Sequence, residues 1–82
     1  MANAREGVIF GKTVRRLRTE LGWTQEDLAD AAELTTTYVG QVERGDKVPS
    51  LTVVLKLARG LSVRPADLLT GFSPGVLRAL RL

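Results

Sequence analysis

Cysteine and histidine are both missing from the 82 residues. Without cysteine there can be no disulfide and no thiolate metal site. Without histidine the chain lacks the usual general base at neutral pH and the commonest nitrogen ligand for zinc. Catalysis would fall to carboxylates, lysines or hydroxyls, and no carboxylate pair sits in an obvious cleft-forming arrangement. The eight glycines are scattered along the chain rather than spaced as G-x-x-x-x-G-K, so a phosphate-cradling loop is missing too. No run approaches the roughly 18 apolar residues of a membrane span, and the opening MANAREGVIFGKTV lacks the apolar stretch of a signal peptide. These absences argue against an enzyme, a cofactor, a bound metal or a membrane association. They lead us to expect a soluble, cytoplasmic protein.

What is present is ordinary for one small globular domain: 44% hydrophobic and 26% charged residues. Twelve basic against nine acidic residues give a net charge of +3, a mild lean toward an anionic partner with no basic run to localise it. The spacing is helical throughout. Phe10, Val14, Leu17 and Leu21 mark one face of a first helix that Gly22 stops. Thr24 and Asp27 make a capping-box pair ahead of a second helix running to about Ala32, with Trp23 and Leu28 in staple positions. Thr35 caps a third helix, Thr36 to Arg44, with Leu34 and Val39 in the equivalent staple and Gly45 closing it. Ser50 caps a fourth helix, in which Leu51, Val54, Leu55, Ala58 and Leu61 are expected to face inward. Pro65 opens a fifth that Gly71 ends, and Ser73 to Leu82 adds a short amphipathic turn. The fold class is therefore all-α, a compact bundle of four to five short helices. We expect a flexible arm over residues 1–8, the domain over 9–72 and a tail over 73–82.

The second and third helices, with their short turn and small Ala29 at the crossing, have the helix-turn-helix pattern. The third helix is built from poor helix formers: consecutive threonines at its head and Gly40 within it. A helix entering the major groove reads bases with its first turn and a half. Threonine there offers a hydroxyl and a methyl, and Gln41 can pair bidentately, typically with adenine. Gly40 would leave the groove unobstructed. Helix propensity is given up on the face that would meet DNA.

Taken together, the motifs TQEDLA, YVxxVERG, PSLxxxLKLA and a closing DLL resemble the phage-repressor and Cro type of helix-turn-helix domain, the Xre family of bacterial regulators, over about Phe10 to Leu69. The resemblance implies a lambda-repressor-like fold and a transcriptional regulator that binds double-stranded DNA as a homodimer on a palindromic operator, with no small-molecule effector evident. Thr36, Thr37 and Gln41 match the family's base readers. Thr24 and Gln25 match positions whose side chain or backbone amide grips a phosphate, and Tyr38, Arg44 and Lys47 match positions near the phosphate backbone. Arg18 and Glu43 match a structural ion pair between the first and third helices. Dimer contacts are expected among Leu69, Phe72, Val76, Leu77 and Leu80, with the tail folding back on its own core as the alternative.

Three departures stand out. Glu33 replaces the glycine common at the turn, Arg64 replaces the usual serine or threonine cap of the fifth helix, and the second helix carries Glu26, Asp27, Asp30 and Glu33 without a base. A protein-interaction module of the same fold without DNA binding is the competing reading. Within the regulators, the small size and TYV segment are similar to restriction–modification controller proteins, although that subgroup commonly has arginine where Thr36 stands; a phage repressor, an antitoxin or a stand-alone regulator is also open.

Overall fold

In the computed structural model, residues 5–82 are described and fold into six helices: α1 (Arg5–Glu20), α2 (Gln25–Ala32), α3 (Thr36–Arg44), α4 (Leu51–Leu61), α5 (Pro65–Leu68) and α6 (Pro74–Leu80). α1 begins earlier than the expected arm allows. Residues 5–8 of that segment are helical, and residues 1–4 lie outside the described part. Val8 and Ile9 are half-buried, which is reason enough for the helix to extend over them.

The caps set the helix starts. The Thr24 hydroxyl accepts from the Asp27 N–H at 3.1 Å while the Asp27 carboxylate accepts from the Thr24 N–H at 2.9 Å. Thr35, Ser50 and Ser73 each accept from the N–H three residues on, at 3.1–3.2 Å. α2 ends on Glu33 in the left-handed region, φ 56°, so the turn that leads to α3 has been made without glycine. Arg59 reaches across from α4 and donates to the Glu33 carboxylate at 2.7 Å. At α5 the absent cap hydroxyl is replaced from the other side. The Asp67 carboxylate accepts from the Arg64 N–H at 2.9 Å and from its guanidinium at 3.1 Å.

The core is Phe10, Val14, Leu28, Ala29, Ala32, Val39, Val42, Leu57, Ala58, Leu61 and Leu68. α1 lies against α3 at a close crossing over Gly11, where a Cβ would come within 2.2 Å of the Val42 carbonyl oxygen. Two sequence expectations fail here. Leu51 and Leu55 are not core residues: Leu51 is 73% and Leu55 48% exposed, while Leu57 is fully buried in their place. α4 is apolar on several sides, and its packing against α2, with Gly60 set against the Ala32 backbone, selects Leu57 as the inward residue. Leu21 falls just past the end of α1 and is exposed.

Candidate nucleic-acid interface

α3 is held by its inner face. Val39 and Val42 are fully buried, and beside them the Glu43 carboxylate takes two bonds from Arg18 of α1, Nε to Oε2 at 2.6 Å and Nη2 to Oε1 at 2.9 Å. The third guanidinium nitrogen donates to the Trp23 carbonyl at 2.7 Å, tying the α1–α2 turn to the same point. The hydrogen bonds to Glu43 raise the Arg18 pKa above its ordinary value, against the opposing effect of burial. A paired, fully bonded charge is the form in which burial is tolerated, and among the described residues no buried side-chain polar atom lacks a partner.

The outer face of α3 is open. Thr36 and Thr37 are exposed and Gln41 is half-buried, so the three candidate readers share one accessible surface. In a first helical turn the backbone N–H groups have no intrahelical partner, which leaves those of Thr36 and Thr37 available beside their hydroxyls. Around this surface lie exposed Thr24 at the head of α2, half-buried Tyr38, and exposed Arg44 and Lys47 at the far end of α3 and in the following loop. Arg44 donates from Nε to the Asp46 carboxylate at 3.0 Å. Glu26, Asp27 and Asp30 of α2 are exposed on the side away from Leu28, Ala29 and Ala32, and Glu33, exposed at the C-cap, pairs with Arg59 of α4.

Gly40 is not the open notch that the sequence suggests. It is buried, because Gln25 and Arg44 cover it. A Cβ there would stand 3.1 Å from Arg44 Nη1 and 3.4 Å from Gln25 Oε1. Gln25 is itself fixed, donating from Nε2 to Glu43 Oε1 at 3.1 Å.

The five dimer candidates divide into two sets. Val76 and Leu80, both half-buried, line one hollow with Ala79 and with Val8 and Ile9 of α1, and Arg5 donates to the Ala79 carbonyl at 2.8 Å. Leu69, Phe72 and Leu77 line a separate apolar hollow, with Leu69 and Leu77 nearly half exposed. Leu69 and Phe72 also border Val48, Pro49 and Val54, so the apolar surface reaches α4, on which Leu51 and Leu55 are also exposed. The last two were missed because helical periodicity placed them in the core. Among the described residues no acidic cluster could hold a metal ion, and no helix is long and apolar enough to cross a membrane.

Comparison with known proteins agrees with this geometry. The helix-turn-helix family profile matches residues 14–68, spanning α2 and α3 and the helices that pack on them. The control protein C.BamHI of Bacillus amyloliquefaciens is 38% identical over 63 residues, 76% of this chain and 78% of that protein. The crystal structure of the restriction-modification controller protein C.AhdI from Aeromonas hydrophila superposes with a TM-score of 0.75 at 46% identity, over 77% of this chain and 96% of that one. The clp gene regulator ClgR from C. glutamicum gives a TM-score of 0.75 at 28% identity, over 79% and 84% of the two chains. With α3 fixed to α1 by a buried ion pair and the profile matching across both helices of the motif, the chain belongs to the helix-turn-helix family.

Proposed function

We propose that the protein is a sequence-specific DNA-binding regulator of transcription that works in the bacterial cytosol without catalysis. The observation that carries this is the contrast between the two sides of α3: buried valines and an ion pair within, exposed Thr36 and Thr37 and half-buried Gln41 without. A short helix fixed in this way can lie in the major groove with its polar edge toward the bases. Thr24 and Gln25, at the head of α2, and Tyr38, Arg44 and Lys47 take the flanking phosphates, with the Gln25 N–H in the first turn of α2 as the backbone donor. One such helix reads few base pairs. The proposal therefore includes a two-fold dimer on a palindromic operator, its half-sites about one helical turn apart. Leu69, Phe72 and Leu77, extended by Leu51 and Leu55, are the dimer surface; Val76 and Leu80 hold the tail to α1 instead.

Within the regulators, the likeness to C.AhdI and C.BamHI favours a controller of a restriction–modification system. Selection of bound duplexes from a random pool tests the proposal. It predicts a palindrome whose affinity falls steeply as salt rises, since each neutralised phosphate releases counterions. If no duplex is retained even at low salt, the protein is an interaction module of the same fold instead.

A further inference from the structure

Gly40 lies on α3 between Thr36 and Thr37 on one side and Glu43 and Arg44 on the other, the neighbours three and four residues away along a helix. Its surface is thus the strip that joins the open reading face to the buried ion pair. Two side chains occupy that strip, Arg44 from α3 itself and Gln25 from α2. The Gln25 side chain leaves the first residue of α2, crosses α3 over Gly40, and bonds to the same Glu43 oxygen that already accepts from Arg18 Nη2. Three elements meet at one carboxylate: α1 through Arg18, α2 through Gln25, and α3 through Glu43 itself. The Gln25 amide is therefore a seam between helices and not a free arm directed at solvent.

We propose that Gln25 is a positioning residue, and that Gly40 is the seat that admits it. Its side chain fixes the head of α2 against the reading face of α3, so that phosphate grip and base reading come into register together. This rests on the DNA-binding reading above. It adds a role that a plain phosphate contact does not have. A lost phosphate contact weakens binding to every sequence alike, whereas a lost seam lets the two helices shift against each other and erodes the preference for the right site.

The seat has a sharp steric limit. A methyl group at position 40 touches Gln25 at ordinary van der Waals distance and asks only the flexible end of Arg44 to move by a few tenths of an ångström. A longer side chain has to displace the Gln25 amide as well as the Arg44 guanidinium beside it. The test uses the full chain and four variants: Gly40→Ala, Gly40→Met, Gln25→Ala, and the double Gln25→Ala/Gly40→Met. Affinity is measured for the selected duplex and for an unrelated one, with a thermal melt for each protein to confirm folding. Gly40→Ala should keep the parent's preference and melt higher, because alanine is the better helix former. Gly40→Met and Gln25→Ala should each lower the ratio of specific to non-specific affinity about tenfold, the equivalent of roughly 1.4 kcal/mol. The double variant should be no worse than Gln25→Ala, since the longer side chain then fills a vacated space.

If the two losses add in the double variant, Gly40 is clearing the groove and not seating Gln25. If Gln25→Ala weakens both duplexes equally, Gln25 is a phosphate contact only. Either result overturns the inference while leaving DNA binding intact. Absence of binding by the parent protein would instead remove the reading beneath it. Should Gly40→Met fail to fold, the ratio measured for Gln25→Ala alone still decides.

Discussion

At the scale of single residues, Gln41 is the position whose chemistry is most specific. Its amide can present a donor and an acceptor together to one base edge. Gln41→Ala should relax the preference at one base position of the selected site and cost about 1–3 kcal/mol there. Unchanged preference in a selection repeated with the variant would remove Gln41 from the readers. Lys47 is exposed in the loop after α3 and carries charge without base-edge geometry. Lys47→Ala should weaken specific and unrelated duplexes alike and reduce the slope of log affinity against log salt by about 0.9; a change in sequence preference would contradict that role. The candidate readers were legible because a run of poor helix formers on a polar face is costly without a purpose. The cover over Gly40 was not legible. It depends on a side chain from the preceding helix folding across α3, and periodicity within α3 carries no trace of it.

At the scale of elements, most helix boundaries were written in the caps: Thr24, Thr35 and Ser50 each make the predicted kind of bond, and Ser73, expected only to begin a short turn, caps α6 in the same way. The phase of α4 was not. Val53, Val54, Leu55, Leu57 and Ala58 offer apolar residues in several directions, and only the crossing with α2 decides that Leu57 goes in and Leu51 and Leu55 stay out.

The turn between α2 and α3 gives a direct test of backbone strain. Glu33 holds φ 56°, a conformation whose backbone capping bonds glycine would make as well, and its own side chain adds an exposed ion pair to Arg59. Such a pair is worth about 0–1 kcal/mol and less in high salt, against roughly 1–2 kcal/mol for a side chain in the left-handed region. Glu33→Gly should therefore raise the melting temperature by a few degrees when measured in high salt; a lower value would show that the ion pair and chain entropy outweigh the strain. At the head of α5 the hydrogen bonds from the Arg64 guanidinium and backbone hold the Asp67 carboxyl below its ordinary pKa. A depressed carboxyl stabilises the fold above its unfolded value, and the contribution is lost as pH falls through the folded one. Arg64→Ala should shrink that acid-side loss, as read from melting temperatures across the acid range; an unchanged acid limb would mean the pair contributes nothing to stability.

At the scale of the whole molecule, the apolar strip from Leu77 through Leu69 and Phe72 toward Leu55 and Leu51 is what a monomer has least reason to expose. Leu69→Glu should convert the protein to a monomer in sedimentation and abolish tight binding to the palindrome, with helix content retained. A dimer that survives the change would place the interface elsewhere. The tail, by contrast, should stay folded on α1 in that variant, because Val76, Leu80 and the Arg5 bond to Ala79 lie on the other side of α6.

The central claim is that the outer surface of α3 is the surface that meets base pairs. Amide hydrogen exchange, measured with and without the selected duplex, addresses it most directly. We predict that slowing on DNA addition is greatest from Thr36 to Gln41 and at the head of α2, with α6 unchanged apart from the dimer strip. Slowing confined to α4, α5 and α6, with the amides of α3 exchanging as in the free protein, would contradict the account.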